Sequence, residues 1–432
     1  MRDFESDIIG KISRRLLPIL FLSFVAAYLD RVNVGFAALS MNKDLGFTAT
    51  AYAIGGGIFF FGYFLFEVPS NMILHRVGAR LWIARIMISW GIISGLTAFV
   101  WDSTSFYAIR FILGVAEAGF FPGIVLYLTY WFPARDRAKV LGGFLVAVPF
   151  AIVFGSPVSG LLLGLDELAG LKGWQWMFFL EAIPSILLGF VVLFALPSRP
   201  RDARWLSDAE KAWLQQELTK DEADRAHHSL GGMREALTSR KILLFGLAYV
   251  GIITGSYGVV LWLPTMVKGF GLSNAATGFI AAVPYAVAAV TMILWTRNSD
   301  RSGERTWHAA FACFLGCGGL AASATLSDPV MQMIALSVAA AGIFTAMPTF
   351  WTLPPQFLSG TGLAAGIALI NSIGNLGGFL GPYAVGAVKD ATGSFTYGLL
   401  MLSVFICIAG LLIIVMTGGK TVKSTPVTRP AE

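Results

Sequence analysis

Two charged residues stand side by side inside the first long apolar segment of the chain. Asp30 and Arg31 belong to the stretch Tyr28-Leu29-Asp30-Arg31-Val32-Asn33, and the segment runs from about 16 to 39. A helix of that length crosses a bilayer core of about 30 Å, and Asp30 lies roughly 21 Å from its start. A charge at that depth costs several kcal/mol unless it has a partner or faces a water-filled cavity. A segment that served only as an anchor would not carry this pair.

The fourth apolar segment carries a second acid and a second base. Arg110, Gly114 and Glu117 are spaced i, i+4 and i+7, which places them on one face of a helix. A carboxylate whose arginine partner is taken by another anion is a natural proton switch, because burial and a nearby arginine act on it in opposite directions. Arginine has a planar fork suited to bidentate binding of a carboxylate. The alternative is two structural ion pairs that lock this part of the chain together.

The elements that must position these residues are membrane-spanning helices. The chain has 432 residues, of which 56% are hydrophobic and only 13% are charged, well below the charged fraction of soluble proteins. Apolar runs of about 20 residues predict an all-α membrane protein with twelve spans. The spans are 16–39, 52–74, 81–101, 105–132, 138–165, 174–196, 242–267, 273–296, 307–327, 329–354, 363–388 and 396–417.

The basic residues predict the orientation of the spans. Most of the 31 Lys and Arg residues fall in the N-terminal tail (1–15), the central loop (197–241), the C-terminal tail (418–432) and the connections on the same side. By the positive-inside rule, both tails and the central loop are cytoplasmic. The net charge of +6 is thus a topology signal and does not indicate nucleic-acid binding.

The remaining polar features predict no chemistry of their own. Ser207-Asp208-Ala209-Glu210 has the spacing of a capping box and predicts a short amphipathic helix in the central loop, followed by a flexible linker around Gly231-Gly232. The three cysteines lie in apolar segments, and the four histidines form no ligand cluster. We therefore expect no disulfide framework, metal, cofactor or catalytic site. The roles of Glu67 and Glu181 are left open.

An internal repeat divides the spans into two halves, 16–196 and 242–417. His75 and Asp300 lie in two similar basic turns, and Pro157 and Pro382 lie in two Gly/Pro-containing spans. The number of residues that separates the first pair along the sequence equals the number that separates the second pair. Two matches at one offset predict six-span halves in the same orientation, with a substrate site near the midplane between them.

Several stretches of the chain resemble the motifs of a known family. The R-x-G-x-R turns at 76–80 and 301–305 are similar to the signature of the major facilitator superfamily. Four further stretches resemble its anion:cation symporter family, whose members take up organic acids such as tartrate, phthalate and sugar acids. These stretches are Tyr28–Asn33, Tyr63–Asn71, Gly173–Phe178 and Leu261–Pro264.

The resemblance implies roles for particular residues. Arg31 would bind a substrate carboxylate, and Tyr28 lies on the same helix face at i−3. Asp30 and Glu117 would be protonation sites, with Arg110 pairing with Asp30. Further cavity-lining positions would be Tyr63, Trp351 and Asn371, with Asn375 one turn later. Core packing is the alternative for Tyr63 and Trp351, and hydrogen bonding between helices is the alternative for the two asparagines.

These expectations favour one function among several. The sequence predicts a monomeric secondary transporter in the bacterial inner membrane that takes up a small organic carboxylate with protons. Proton-antiport efflux of a drug or metabolite is the alternative. An enzyme would need a nucleophile–base or metal constellation, which the sequence lacks. A channel would not need a two-half repeat with buried titratable groups, and a receptor would need an extracellular ligand domain.

Overall fold

The computed structural model describes residues 2–133, 136, 137, 140, 144, 146–227, 239–356 and 360–418, and the regular elements of this part are helices. The predicted linker at Gly231-Gly232 and the C-terminal tail from 419 lie outside it. The helices are α1 Arg2–Asp44, α2 Ala49–Val77, α3 Ala79–Leu96, α4 Ser103–Glu117, α5 Phe120–Thr129, α6 Ala147–Leu162, α7 Gly173–Ala195, α8 Asp208–His227, α9 Arg240–Lys268, α10 Asn274–Ser302, α11 Thr306–Thr325, α12 Pro329–Phe350, α13 Gly360–Asn375, α14 Gly377–Thr392 and α15 Thr396–Thr417.

Eleven of the predicted spans correspond to helical segments that are long and apolar enough to cross a membrane, counted over the described residues. The remaining predicted span, 363–388, is covered by α13 and α14, two helices of 16 residues that meet at Leu376. Each is only about 24 Å long. The interruption coincides with close packing on α9, where a Cβ on Gly377 would lie 2.6 Å from the Val250 carbonyl oxygen.

A glycine in the left-handed region separates α4 from α5. Gly119 has φ +87°, and a Cβ there would meet the Ser70 hydroxyl at 2.4 Å, so both conformation and space require glycine. The Ser70 hydroxyl donates a hydrogen bond of 2.6 Å to the carbonyl of Ala118. This bond serves a carbonyl that the end of α4 leaves without a helical partner. Helix α4 therefore stops at Glu117, one of the predicted proton sites.

The chain forms two compact units. Unit 1 comprises Met1–Phe47, Ile58–His227 and Ser273–Phe279, and unit 2 comprises Thr48–Gly57, His228–Leu272 and Ile280–Glu432. The first turns of α2 thus belong to unit 2, where the Asp390 carboxylate accepts hydrogen bonds from the backbone N–H groups of Ala49 and Thr50, at 2.9 and 2.7 Å. The first turn of α10 belongs to unit 1, where Gly278 packs against α6.

The central loop contains helix α8, which packs on the N-terminal segment of α1. The backbone N–H of Ser207 donates to Glu210 at 2.6 Å, which forms the capping box. Lys11 pairs with Glu210 at 2.9 Å, and Phe4 packs on Trp213. Helix α1 begins at Arg2 rather than near residue 16, because Ile8 and Ile12 give the tail a buried face one helical turn apart.

Candidate functional site

The predicted substrate arginine and the predicted proton acceptor form a direct ion pair in unit 1. The Arg31 Nε of α1 donates to Glu117 Oε1 of α4 at 2.8 Å, and the Arg31 Nη2 donates to the same oxygen. The Glu117 side chain is 1% exposed and that of Arg31 is 16% exposed. Glu117 is therefore sealed in the protein, whereas Arg31 keeps part of its surface accessible.

Aromatic rings surround the guanidinium of Arg31. Its Cζ lies 5.2 Å from the centre of the Tyr28 ring, 5.4 Å from that of Phe59 and 5.5 Å from that of Tyr63. Ring faces attract a cation and exclude water from it. The predicted lining residues Tyr28 and Tyr63 therefore lie beside Arg31, and Phe59 is a third wall residue that the sequence did not indicate.

A glycine contact between α2 and α4 holds this wall in place. A Cβ on Gly114 would lie 2.0 Å from the carbonyl oxygen of Phe59, and one on Gly62 would lie 2.3 Å from that of Phe111. Only glycine lets the two backbones approach this closely. Gly114 lies between Arg110 and Glu117 on α4. The same contact therefore fixes where both side chains lie relative to the ring of Phe59.

Asp30 has different partners from those expected. Its carboxylate accepts hydrogen bonds from the Ser94 hydroxyl at 2.7 Å, the Ser185 hydroxyl at 2.8 Å and the indole N–H of Trp90 at 2.9 Å. The predicted pairing of Arg110 with Asp30 is thus replaced by three neutral donors from α3 and α7. Arg110 is buried with its Cζ 5.3 Å from the Phe59 ring centre, and it acts electrostatically on Glu117.

Close packing of α3 on α7 creates the Asp30 pocket. A Cβ on Gly91 would lie 2.7 Å from the side chain of Ile186, and one on Gly189 would lie at the same distance from Ile88. These glycines bring Ser94 and Ser185 to the same carboxylate. The sequence signal that could have identified the pocket is the i, i+4 spacing of Trp90 and Ser94 in an apolar span.

Unit 2 contains the other predicted lining residues. Trp351, which follows α12, packs edge-on against Tyr249 of α9 with ring centres 4.9 Å apart. Asn371 and Asn375 lie in α13 and are partly exposed. Between them, Gly374 packs against Tyr249, since a Cβ there would lie 2.0 Å from its ring. Tyr249 therefore connects the two predicted groups, and nothing in the sequence singled it out.

Buried charge is confined to unit 1 in the described part of the chain. The buried charged residues are Asp30, Glu67, Arg110, Glu117 and Glu181. No group of three or more His, Cys, Asp or Glu side chains among the described residues is placed to hold a metal ion. The arrangement offers carboxyl groups that can exchange protons and an arginine that can bind an anion.

Comparison with known proteins establishes the family. The sequence profile described as Major Facilitator Superfamily matches residues 20–382. The chain belongs to the Major Facilitator Superfamily. As a member of this superfamily, it is a multi-pass integral membrane transporter of a small molecule and not an enzyme.

Individual relatives of this major facilitator match it nearly end to end. A protein of Agrobacterium vitis named "Putative tartrate transporter" is 52% identical, covering 96% of this chain and 92% of that protein. A "Quinolone resistance transporter" of Acinetobacter baumannii is 43% identical, covering 97% and 96%. The inward-facing, occupied crystal structure of a bacterial homologue of the lysosomal transporter Spinster has a TM-score of 0.77 at 16% identity, covering 95% and 98%, which shows the shared fold.

Proposed function

We propose that this major facilitator takes up a small organic carboxylate, such as tartrate, a sugar acid or an aromatic acid, together with protons. Transport would proceed by alternating access in a monomer in the bacterial inner membrane, with both termini in the cytoplasm. The observation that carries the proposal is the ion pair between Arg31 and the sealed Glu117. The relative named for tartrate supports the substrate class.

The proposed coupling step is competition for Arg31. While Glu117 is ionised, its Oε1 occupies Nε and Nη2 of the guanidinium. A proton arriving from outside adds to the Glu117 carboxylate and cancels its charge, so a substrate carboxylate can displace Glu117 from the fork of Arg31. On the cytoplasmic side, the substrate leaves, Glu117 releases its proton, and the ion pair forms again. Substrate binding and protonation are thus obligatorily linked.

Asp30 is the second proposed proton site. Its three donors are all neutral, so no cation in contact with it holds its charge in place. Hydroxyl groups can turn to accept a hydrogen bond, so Ser94 and Ser185 can serve both the ionised and the protonated carboxyl. Arg110, predicted as its partner, instead supplies positive charge near Glu117.

The proposed substrate contacts combine charge and shape. Arg31 binds the carboxylate, and Tyr28 and Tyr63 flank it. Trp351, Asn371 and Asn375, which lie in unit 2, are the further proposed substrate-binding residues. A hydroxy acid presents hydroxyl groups that amides can bind, and an aromatic acid presents a ring that Trp351 can stack on.

Protons also supply the driving force. Moving an anion toward a negative interior costs about 2.3 kcal/mol per charge per 100 mV. Carrying one proton per substrate charge removes this cost, and carrying more makes the membrane potential assist uptake.

The test uses purified protein in liposomes with an imposed inward proton gradient. Labelled tartrate, galactonate, phthalate and a cationic drug are compared, with and without the gradient. We expect saturable, gradient-driven uptake of one acid that Arg31→Ala abolishes. Uptake driven by a sodium gradient at constant pH would contradict the proposal.

Proton-antiport efflux is the second candidate, favoured by the 43% identity to a protein named for quinolone resistance. The same liposomes distinguish the two functions. Accumulation of the drug under the opposite gradient, with no acid transported, would establish efflux instead.

A further inference from the structure

Unit 1 contains a third carboxyl group at membrane depth that the coupling scheme does not use. Glu181 of α7 is 2% exposed. Its Oε1 accepts a hydrogen bond of 2.6 Å from the Ser159 hydroxyl of α6. Its Oε2 is buried without a hydrogen-bond partner. A buried polar atom left unpaired destabilises the folded protein, so a purely structural residue would be poorly placed here.

Asn33 lies next to Glu181 and is suited to either protonation state. The Asn33 side chain is fully buried, both of its amide atoms lack a hydrogen-bond partner, and it interacts with Glu181. An ionised Glu181 needs a donor, and the NH₂ group of Asn33 is one. A protonated Glu181 needs an acceptor, and the amide oxygen of Asn33 is one. The Asn33 amide is therefore suited to stabilise the carboxyl group with or without its proton, once the two side chains turn toward each other.

Glu181 and Asp30 belong to two neighbouring layers of polar side chains where α1 packs on α7. Asp30 and Asn33 are one turn apart on α1, and Glu181 and Ser185 are one turn apart on α7. Ser185 donates to Asp30 at 2.8 Å, while Asn33 lies beside Glu181. Asp30 also acts electrostatically on Glu181. Two acids on neighbouring turns of packed helices oppose each other's ionisation.

Glu181 and Asp30 lie at different depths along the two helices. Trp174 at the start of α7 donates to Asp44 at the end of α1, at 3.0 Å, so these two helix ends lie together. Glu181 is about 12 Å along α7 from Gly173, and Ser185 is about 18 Å along it. Glu181 is therefore nearer this end than the Asp30 contact, and the charge pattern of the loops makes this the outer end.

We propose that Glu181 is a further proton-coupling residue, which takes the proton from the outer side and shares it with Asp30. The transferred species is one proton between two carboxylates, with no other bond made or broken. The inference rests on the proposed proton-coupled uptake. The acidic group facing Glu181 from α1 is Asp30, and Ser159 of α6 is neutral; Glu117 of α4 in turn acts electrostatically on Asp30.

The experiment measures gradient-driven uptake, counterflow exchange and protons moved per substrate in liposomes with a trapped pH indicator. The acid identified with the wild-type protein is the substrate. We expect Glu181→Gln to lower gradient-driven uptake about tenfold or more and to reduce the proton count, while counterflow stays near wild type. Glu181→Asp, which keeps a carboxyl group, should restore part of the proton-driven rate. Glu167→Gln is the control, because Glu167 is an exposed glutamate on the same side.

The outcomes separate this inference from the function it rests on. If the wild-type protein shows no proton-driven uptake, the proposed function fails. If the wild type is proton-driven and Glu181→Gln keeps its proton count and rate, only the role of Glu181 fails. Equal loss of uptake and counterflow in folded Glu181→Gln would also overturn it, as would failure of Glu181→Asp to restore coupling. Asn33→Leu gives an independent check, with slower proton-driven uptake and retained counterflow expected.

Discussion

A single guanidinium carries most of the proposed chemistry at the scale of residues. Arg31 offers its fork to Glu117, and its flat faces lie near three aromatic rings. Lysine has the same charge but neither the fork nor the flat face. The identity of this residue, beyond its charge, should therefore set how tightly a carboxylate binds.

The substitution Arg31→Lys tests this point. Losing a charged bidentate contact costs about 1.5–3 kcal/mol, so we expect the KM for the transported acid to rise about tenfold or more. Initial rates of gradient-driven uptake over a range of substrate concentrations give the KM. An unchanged KM in Arg31→Lys would show that Arg31 acts only through its charge.

The sequence shows which charged residues lie at membrane depth more completely than it shows how they pair. A charged residue in an apolar segment is visible in one dimension, so Asp30, Arg31, Arg110 and Glu117 could be singled out. Which base meets which acid depends on the rotation and crossing of α1, α3, α4 and α7. Sequence spacing does not fix these. The spacing of Trp90 and Ser94 shows that they share a helix face, but only the packing of α3 on α1 and α7 shows that this face meets Asp30.

At the scale of elements, glycine contacts set the geometry of the site. Gly114 places the α4 backbone against that of α2, with no room for a methyl group beside the Phe59 carbonyl. Span lengths could be predicted because they follow from apolar length alone. The division of the predicted span 363–388 into α13 and α14 could not be predicted from the sequence, because it coincides with contacts to α9.

The substitution Gly114→Ala should therefore destabilise the protein. Its Cβ would lie 2.0 Å from a backbone oxygen, so α2 and α4 must move apart. We expect a loss of about 1–3 kcal/mol, seen as a lower Tm in detergent, together with reduced uptake. The matched control is Gly318→Ala on α11, where a Cβ meets nothing within 4 Å. Equal Tm values for the two variants would be evidence against the close crossing.

Docking of α8 should depend on pH. The Ser207 N–H group, followed by Lys11, holds the pKa of Glu210 below its ordinary value of 4.5. This stabilisation is present above pH 4.5 and is lost as the pH falls below it toward the folded-state pKa. Hydrogen exchange of the first turn of α8, corrected for intrinsic rates, should show more opening in that range. Glu210→Gln should remove the pH dependence, and a persistent dependence in that variant would implicate another group.

At the scale of the whole molecule, the two units differ in their chemistry. Each buried charge in the described residues belongs to unit 1, whereas Tyr249, Trp351 and the two asparagines give unit 2 an aromatic and amide character. Such an asymmetry is accessible from sequence alone, because charged residues in apolar spans can be read directly. It favours unit 1 as the part of the chain that carries the proposed proton coupling.

The charge pattern of the loops predicts an orientation that labelling can check. In intact cells, a membrane-impermeant thiol reagent should label Glu167→Cys, whose parent side chain is 81% exposed, and not Lys220→Cys, which is 60% exposed. Permeabilisation should make both react. The native Cys313, Cys317 and Cys407 are buried or half-buried, so the unsubstituted protein serves as the background. Labelling of Lys220→Cys in sealed cells would place α8 outside.

The most direct test of the coupling mechanism is Glu117→Gln, measured for both gradient-driven uptake and counterflow in the same liposomes. Glutamine is uncharged like the protonated acid, so a substrate carboxylate can compete for Arg31 while no proton can be carried at this position. The competition mechanism predicts that proton-driven uptake is lost and that counterflow exchange persists. Proton-driven uptake at the wild-type rate would contradict it and assign the coupling proton to another residue.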